Sequence, residues 1–448
     1  MARRRPVGRF RTALRSTRLT GRGLGSLAAS VICLLVAYGS GIQQLLYVGA
    51  FLLVLVIAAF VVVGVRRPRI EVTRTFSPHV IEAGSPTVVT LLVRNLTASR
   101  SSSGRWMDAL PWRPGTTPEA DFPRLAARGP RFATKGNTKE LEYDLTPPQR
   151  GWYQIGPMSL TVGDAFGFAR SHADLGGTTP LVVTPEVISL AETGLSVPAG
   201  DGEARMVQRR ATGDADDSMT REYRRGDALR RVHWRATARR GDLMVRQEEQ
   251  RSLPQARVIV DTLRHGYHDV DIDAFSETDE SASFEWVVRM LASVTVHLRR
   301  GGFQVAIEES GERQLGELAR DRRRTWGDEE FLVTLSRFHL VDDRSTRFDT
   351  VKDASNRGPI VALVGTPDDD VVETLVERRK YGDVAVAFMV RGLSPLDELD
   401  RSFGMPSTTP FIAERLADAG WIVVPVHAQD DPAAAWEAVA VETGRARA

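Results

Sequence analysis

One cysteine, Cys33, stands in a chain of 448 residues, which excludes an intramolecular disulfide framework and a cysteine-rich zinc site. The phosphate-cradling Gly-Lys-Ser/Thr loop, the His-Glu-x-x-His zinc helix and the Gly-x-Ser-x-Gly nucleophile elbow are all absent. The usual sequence marks of nucleotide hydrolysis, zinc proteolysis and esterase chemistry are therefore missing, and ATPase activity would have to come from another protein. Acidic residues are absent from residues 1–22, and charge of either sign is absent from residues 23–65. Elsewhere the balance is ordinary. A formal net charge of +2, 26% charged and 42% hydrophobic residues exclude wholesale disorder and a many-span membrane protein. The length exceeds what one hydrophobic core organises, so two soluble domains and an additional segment are expected.

The additional segment is the N-terminus. Arg3, Arg4, Arg5, Arg9, Arg11, Arg15, Arg18 and Arg22 form a basic tail over 1–22, and the uncharged run that follows ends at Arg66. At about 1.5 Å per residue this run is roughly twice the ~30 Å hydrocarbon thickness of a bilayer. Tyr38-Gly39-Ser40-Gly41 supplies a turn that divides it into spans of about Leu24 to Tyr38 and Ile42 to Val65. Arginines flank both ends, so the positive-inside rule places both flanks, and everything after Arg69, in the cytoplasm at the inner membrane. The rival is a signal peptide cleaved after Ala37-Tyr38-Gly39. Cys33 lies within the first span and reads as a small apolar residue.

From Ile70 to about Val187 short alternating or β-branched runs are separated by Gly, Pro, Ser and Asn, the pattern of a β-sandwich. Phe166 and Phe168 in Gly-Asp-Ala-Phe-Gly-Phe read as core aromatics. Residues near Ala199 to Thr220 are polar, mixed in charge and poor in apolar periodicity, and read as a connector. From Gln255 onward strands and helices alternate, which implies a mostly parallel, doubly wound α/β sheet. Ligand sites in such sheets lie at the carboxyl ends of strands, which directs attention to Asp261 and to Gly365-Thr366-Pro367-Asp368-Asp369-Asp370.

The stretch from Arg221 to Gln250 concentrates arginine, has no lysine, and repeats Arg-Arg-Gly-Asp twice. Ala228 to Arg239 reads as a short helix with Leu229, Val232 and Ala236 on one face, flanked by Gly-Asp turns. Arginine with Tyr223 and Trp234 meets the crude requirement for nucleic-acid binding. However, Glu222, Asp227, Asp242, Glu248 and Glu249 offset the charge, which favours internal ion pairs and a partner-facing remainder over nucleic acid. Trp234 reads as a buried anchor, and His233 as a hydrogen-bonded structural residue rather than a general base. His265 to Asp273 crowds histidines and aspartates, but without the glycine turn and distant Glu of a calcium hand it reads as a solvated loop.

Arg221, Tyr223, Gly226, Asp227, Arg230, Trp234, Ala238, Arg239, Leu243 and Val245 follow a pattern that resembles the bacterial family called domain of unknown function 58. The Pro147 to Arg170 stretch resembles the family's Arg-Gly and Asp-Pro-Phe-Gly segment, with Ala165 in place of the proline. The resemblance implies a von Willebrand factor A-like C-terminal domain and association with MoxR-type AAA+ ATPases. In such domains an Asp-x-Ser-x-Ser loop binds Mg2+ and recruits acidic ligands. Here the loop is Asp261-Thr262-Leu263-Arg264-His265. It lacks both serines and adds a cation, so Asp261 is expected to be a degenerate metal site.

The expected organisation is a basic tail (1–22), two transmembrane helices (23–66), a β-sandwich (67–190), a connector carrying the arginine signature (191–250) and a von Willebrand factor A-like domain (251–448). The expected role is a membrane-anchored scaffold or adaptor without enzymatic activity, offered to the ATPase and to client proteins. The alternative is a metal-dependent factor or enzyme acting on the cell envelope or nucleic acid.

Overall fold

A computed structural model describes residues 17–65, 68–112, 114–128, 136–192, 220–223, 232, 234–246, 255–271, 280–315, 327–342, 358–380, 382–391 and 408–447. The chain divides into two compact units, Met1–Thr184 and Pro185–Ala448. This boundary falls ahead of residue 190 because Val187 and Leu190 already pack into the second unit's core.

The first unit opens with β1 (Thr17–Leu19), where only a basic tail was expected, and continues into α1 (Gly21–Ser40) and α2 (Gln43–Val65). Gly41, at φ 71°, ends α1 within the expected turn, a backbone conformation that glycine adopts without penalty. The buried residues of α1, Gly23, Ser30 and Ala37, lie seven apart, and α2 buries Gly49, Val56, Ala59 and Val63. Small residues at that spacing let two helices approach closely. The Ser30 hydroxyl accordingly donates to the Gly49 carbonyl at 2.7 Å, and a Cβ at Gly49 would lie 2.8 Å from Leu34 Cγ. Most other side chains, Leu35, Tyr47 and Phe51 among them, point outward. Both helices are long and apolar enough to cross a membrane, with mean hydropathy 1.7 and 3.1.

The strands that follow are β2 (Ile70–Ser77), β3 (Val80–Glu82), β4 (Thr87–Asn95), β5 (Gly104–Asp108), β6 (Ala120–Phe122), β7 (Thr138–Leu145), β8 (Gly151–Ile155), β9 (Met158–Gly163), β10 (Ala169–Leu175) and β11 (Thr179–Thr184). They form sheets ordered β1-β10-β9-β5-β6, β2-β4-β7 and β3-β11-β8. Alternate residues Val89, Leu91 and Val93 of β4 enter one core with Trp106, Ile155, Leu160 and Leu181, the period-two burial of strands with one wet face. An inward position of β2 is nevertheless occupied by Arg74. Its guanidinium forks onto Asp108, Nε to Oδ2 at 2.8 Å and Nη2 to Oδ1 at 2.6 Å, and both side chains are fully buried. Tyr143 donates its hydroxyl to the same carboxylate at 2.7 Å. That carboxylate and burial hold the phenol's pKa far above its ordinary value, burial being the larger cause.

Phe166 does not join this core. It is 58% exposed and stacks on Phe168 at 5.7 Å, because the Asp164 carboxylate holds the loop in a tight turn by accepting from the Phe166 and Ala169 N–H groups.

The second unit contains β12 (Thr220–Glu222), α3 (Trp234–Arg240), β13 (Met244–Arg246), β14 (Gln255–Val260), β15 (Val270–Asp271), β16 (Glu280–Ser281), α4 (Ala282–Arg300), β17 (Gln304–Glu309), α5 (Asp328–Leu335), β18 (Gly358–Val364), α6 (Asp369–Arg379), β19 (Gly382–Arg391), α7 (Thr408–Asp418), β20 (Ile422–His427) and α8 (Pro432–Arg447). Its main sheet, ordered β17-β14-β18-β19-β20, is parallel throughout. Successive residues of β18 enter different cores. Val361 and Leu363 join Trp286 of α4 and Trp436 of α8, while Ile360, Ala362 and Val364 join Val371 of α6 and Leu416 of α7. Burial on both faces is why β18 reads as an unbroken apolar run. The final helix, α8, extends the expected alternation; its Trp436 donates Nε1–H to the Ala191 carbonyl at 2.9 Å.

Candidate functional site

The strand order reverses at β14, and residues from three strand ends meet at its carboxyl end. Asp261 follows β14, Ser310 follows β17, and Thr366 follows β18. Asp261 is 1% exposed. Its Oδ1 accepts from the Ser310 hydroxyl at 2.6 Å and from the Leu263 N–H at 3.1 Å, and its carbonyl accepts from the Tyr267 hydroxyl at 2.7 Å. Thr262, also buried, donates its N–H to the Ser310 hydroxyl at 2.9 Å and accepts from the Gly311 N–H at 3.1 Å. Gly266 passes so close that a Cβ there would lie 2.8 Å from Asp261 Oδ2. The Gly266 carbonyl accepts from the Thr366 N–H at 2.7 Å. His265 reaches across to Asp368, Nε2 to Oδ2 at 3.0 Å, while Asp368 Oδ1 caps α6 by accepting from the Val371 N–H.

Asp261 and residues 365–370 are marked by the sequence pattern, whereas Ser310 is not. The signal that could have found it is a hydroxyl immediately after an acidic strand end, Glu308-Glu309-Ser310. The His265 to Asp273 segment is less solvated than expected. Gly266 and Tyr267 are buried, and Asp269 accepts from the Ser281 and Ser283 hydroxyls and the Ser283 N–H at the start of α4. An aspartate before a helix satisfies otherwise orphaned N–H groups. Asp273 lies outside the described residues.

Burial pushes the Asp261 carboxyl up from its ordinary 3.8 to about 6, with Asp368 adding to the rise; the Ser310 hydroxyl, the Leu263 N–H and His265 act in the other direction. The folded chain therefore keeps a proton that the unfolded chain has lost, and the associated stabilisation disappears as pH rises from 3.8 through about 6. Burial raises Glu309 in the same sense, so the difference between variants is diagnostic. Asp261→Asn is expected to flatten the fall in melting temperature between about pH 4 and about pH 7 relative to the unsubstituted chain. An identical slope in both would mean that Asp261 does not titrate in that window.

Among the described residues, no group of three or more His, Cys, Asp or Glu side chains is placed to hold a metal ion. Two carboxylates approach the edge, but Asp261 is tied to Ser310 and Leu263, and Asp368 to His265 and Val371. Arg264 turns to Asp342 at 2.7 Å. This donor set does not fit a hard cation, which needs several free oxygen ligands.

The arginine-rich signature falls partly outside the described residues, which do not include Gly226, Asp227, Arg230 or His233. Part of the expected connector is structured. Arg221 lies in β12, which pairs antiparallel with β13, and the Tyr223 N–H donates to the Leu243 carbonyl at 2.8 Å. Of the expected helix, Ala228 and Leu229 lie outside the described residues; the described helix spans Trp234–Arg240, and Val232 ahead of it is buried. Gly241, at φ 83°, ends the helix at the expected turn. Trp234 is 70% exposed and Arg239 is exposed. The expectation of a buried tryptophan anchor is overturned; among the described residues here Val232 and Met244 of β13 are buried instead.

Residues 219–312 match the model of a family described as Protein of unknown function DUF58, which supports the family resemblance over the arginine signature and the Asp261 edge. No curated protein matches. The chain is similar in part to the CARDB domain of the Pyrococcus furiosus PF1109 protein, at 16% identity over 27% of this chain and 96% of that one, with a TM-score of 0.19. It is also similar to the Pseudomonas fluorescens alkylpurine DNA glycosylase AlkC, at 10% identity over 29% and 33% of the two chains, TM-score 0.18. A Paenibacillus cycloisomaltooligosaccharide glucanotransferase gives 12% identity over 79% and 53%, TM-score 0.18. At these scores the likenesses carry no inference about fold or function.

Proposed function

We propose, from the match of residues 219–312 to the DUF58 family, that the chain is a membrane-anchored scaffold. In this reading α1 and α2 cross the inner membrane as a hairpin, the first unit's sheets form a β-sandwich in the cytoplasm, and the second unit is a doubly wound, von Willebrand factor A-like domain. That domain offers the carboxyl edge of its sheet to a MoxR-type AAA+ ATPase and to client proteins. The observation that carries the reading is the convergence of Asp261, Ser310 and Thr366 where the strand order reverses, the place where open parallel sheets hold their ligands. The Ser310 hydroxyl is bonded to the Asp261 carboxylate and the Thr366 N–H to the Gly266 carbonyl, which suits a rigid recognition edge. Exposed Asp370 beside it adds negative charge that would steer a basic partner face, while its neighbour Asp369 is paired with Arg415 at 3.2 Å.

Affinity purification of the detergent-solubilised full chain is expected to capture an AAA+ ATPase, with capture reduced in Asp370→Arg. Absence of any such ATPase would remove the scaffold reading, and unchanged capture by Asp370→Arg would move the contact away from this edge. Reporter fusions at Gly41 and after Arg69 should report exterior and cytoplasm respectively. An exterior signal after Arg69 would overturn the compartment.

A further inference from the structure

We infer that the first unit carries a binding site for the phosphate of an anionic phospholipid headgroup at the base of the helical hairpin. The inference rests on the membrane reading above, but not on the ATPase.

The site is a cleft of about 1010 Å³ whose lining includes Arg18, Arg22, Arg170, His172, Thr161 and Gly167. Its charge follows from register. β1 pairs with β10 so that Arg18 stands directly opposite Arg170, and like charges directly opposite in a ladder are destabilising. Arg22 joins them from the first turn of α1; a Cβ at Gly167 would lie 3.9 Å from its Nη1. Arg18, Arg22 and Arg170 are exposed and make no ion pair with any of the described residues. Asp164, the carboxylate in the adjoining loop, is engaged by the Phe166 and Ala169 N–H groups. His172 is paired with Asp174 at 3.3 Å, so the three arginines hold the uncompensated charge. The first turn of α1 contains no acidic residue, and its exposed N–H end adds to the attraction for an anion.

Guanidinium groups bind phosphate oxygens through paired, charge-assisted hydrogen bonds. A phosphate between Arg18, Arg22 and Arg170 would replace mutual repulsion with three attractions. Position selects a lipid over a free ion. Arg22 lies in the first turn of a helix long enough to span a bilayer, which places the cleft at headgroup depth. The loop that carries Gly167 is fastened to that point, since the Thr20 N–H donates to the Phe168 carbonyl at 2.8 Å and Gly23 lies so close to the Phe168 backbone that a Cβ would collide with it. The same loop presents Phe166 outward, 58% exposed, where an aromatic ring enters the boundary between headgroups and acyl chains.

The test uses the full chain in nanodiscs of phosphatidylcholine with or without phosphatidylglycerol, reading the lipid retained after detergent exchange by mass analysis. The unsubstituted chain should retain phosphatidylglycerol preferentially, and each of Arg18→Gln, Arg22→Gln and Arg170→Gln should lower its apparent affinity roughly fivefold. Arg105→Gln, which removes an arginine already paired with Glu119 at 2.8 Å, should have no effect. Arg170→Gln also provides a control for folding: because it relieves a like-charge pair, its melting temperature without anionic lipid should be unchanged or higher. Equal retention by all the variants, or a loss shared by Arg105→Gln, would overturn the site. Millimolar inorganic phosphate displacing the lipid from the intact chain would reassign the cleft to a free anion and overturn the lipid assignment. Release of the chain from membranes by carbonate would instead overturn the membrane reading, an outcome separate from these.

Discussion

Arg74→Met is expected to destabilise the first unit by about 3–5 kcal/mol, the loss that follows when one member of a buried ion pair is removed. The Arg74 guanidinium donates to both oxygens of Asp108 and, at 3.1 Å, to the Thr179 hydroxyl. It is wedged so tightly that a Cβ at Gly156 would lie 2.5 Å from Nη2. After the substitution Asp108 keeps the Tyr143 hydroxyl and the bond between its own N–H and Thr117, but its carboxylate remains in a core with no counter-charge. The double variant Arg74→Met, Asp108→Leu removes both charges and should recover much of the loss, since apolar replacement of a whole buried pair is often neutral or stabilising. Denaturant unfolding of the full chain, followed by hydrogen exchange at β4 and β5, reads both effects. Equal destabilisation by the single and double variants would show that packing, not the stranded charge, dominates.

Trp286→Ala is expected to cost the second unit about 3–5 kcal/mol. Trp286 is fully buried in α4, tilted against Phe388 at 6.1 Å, and donates Nε1–H to the Asp430 carbonyl at 2.8 Å. Truncation would leave a cavity between α4 and the sheet and an unsatisfied carbonyl on the far side of it. Trp234→Ala should change stability by less than about 0.5 kcal/mol, the range for exposed positions away from special contacts. Thermal melting of the two variants side by side decides the matter. A large loss for Trp234→Ala would restore the anchor role that its exposure argues against.

The parts of this protein legible in its sequence were those governed by local pattern. Forty-three consecutive uncharged residues, 23–65, fall in two apolar helices broken at Gly41, each long and apolar enough to cross a bilayer. The turn at Gly41, the cap at Gly241 and the runs that became β14, β18 and β19 were equally local, set by glycine's backbone freedom and by apolar periodicity. Asp261 was legible as a strand-end carboxylate.

Its surroundings depended on the tertiary structure. Ser310, 49 residues further on, reaches Asp261 only because β17 pairs beside β14 in parallel register. The burial of Arg74 beside Asp108, the exposure of Trp234 and Phe166, and the facing of Arg18 by Arg170 likewise came from strand pairing and packing. Those contacts join residues far apart in the chain, and no periodicity within one segment encodes which distant strand will lie beside it.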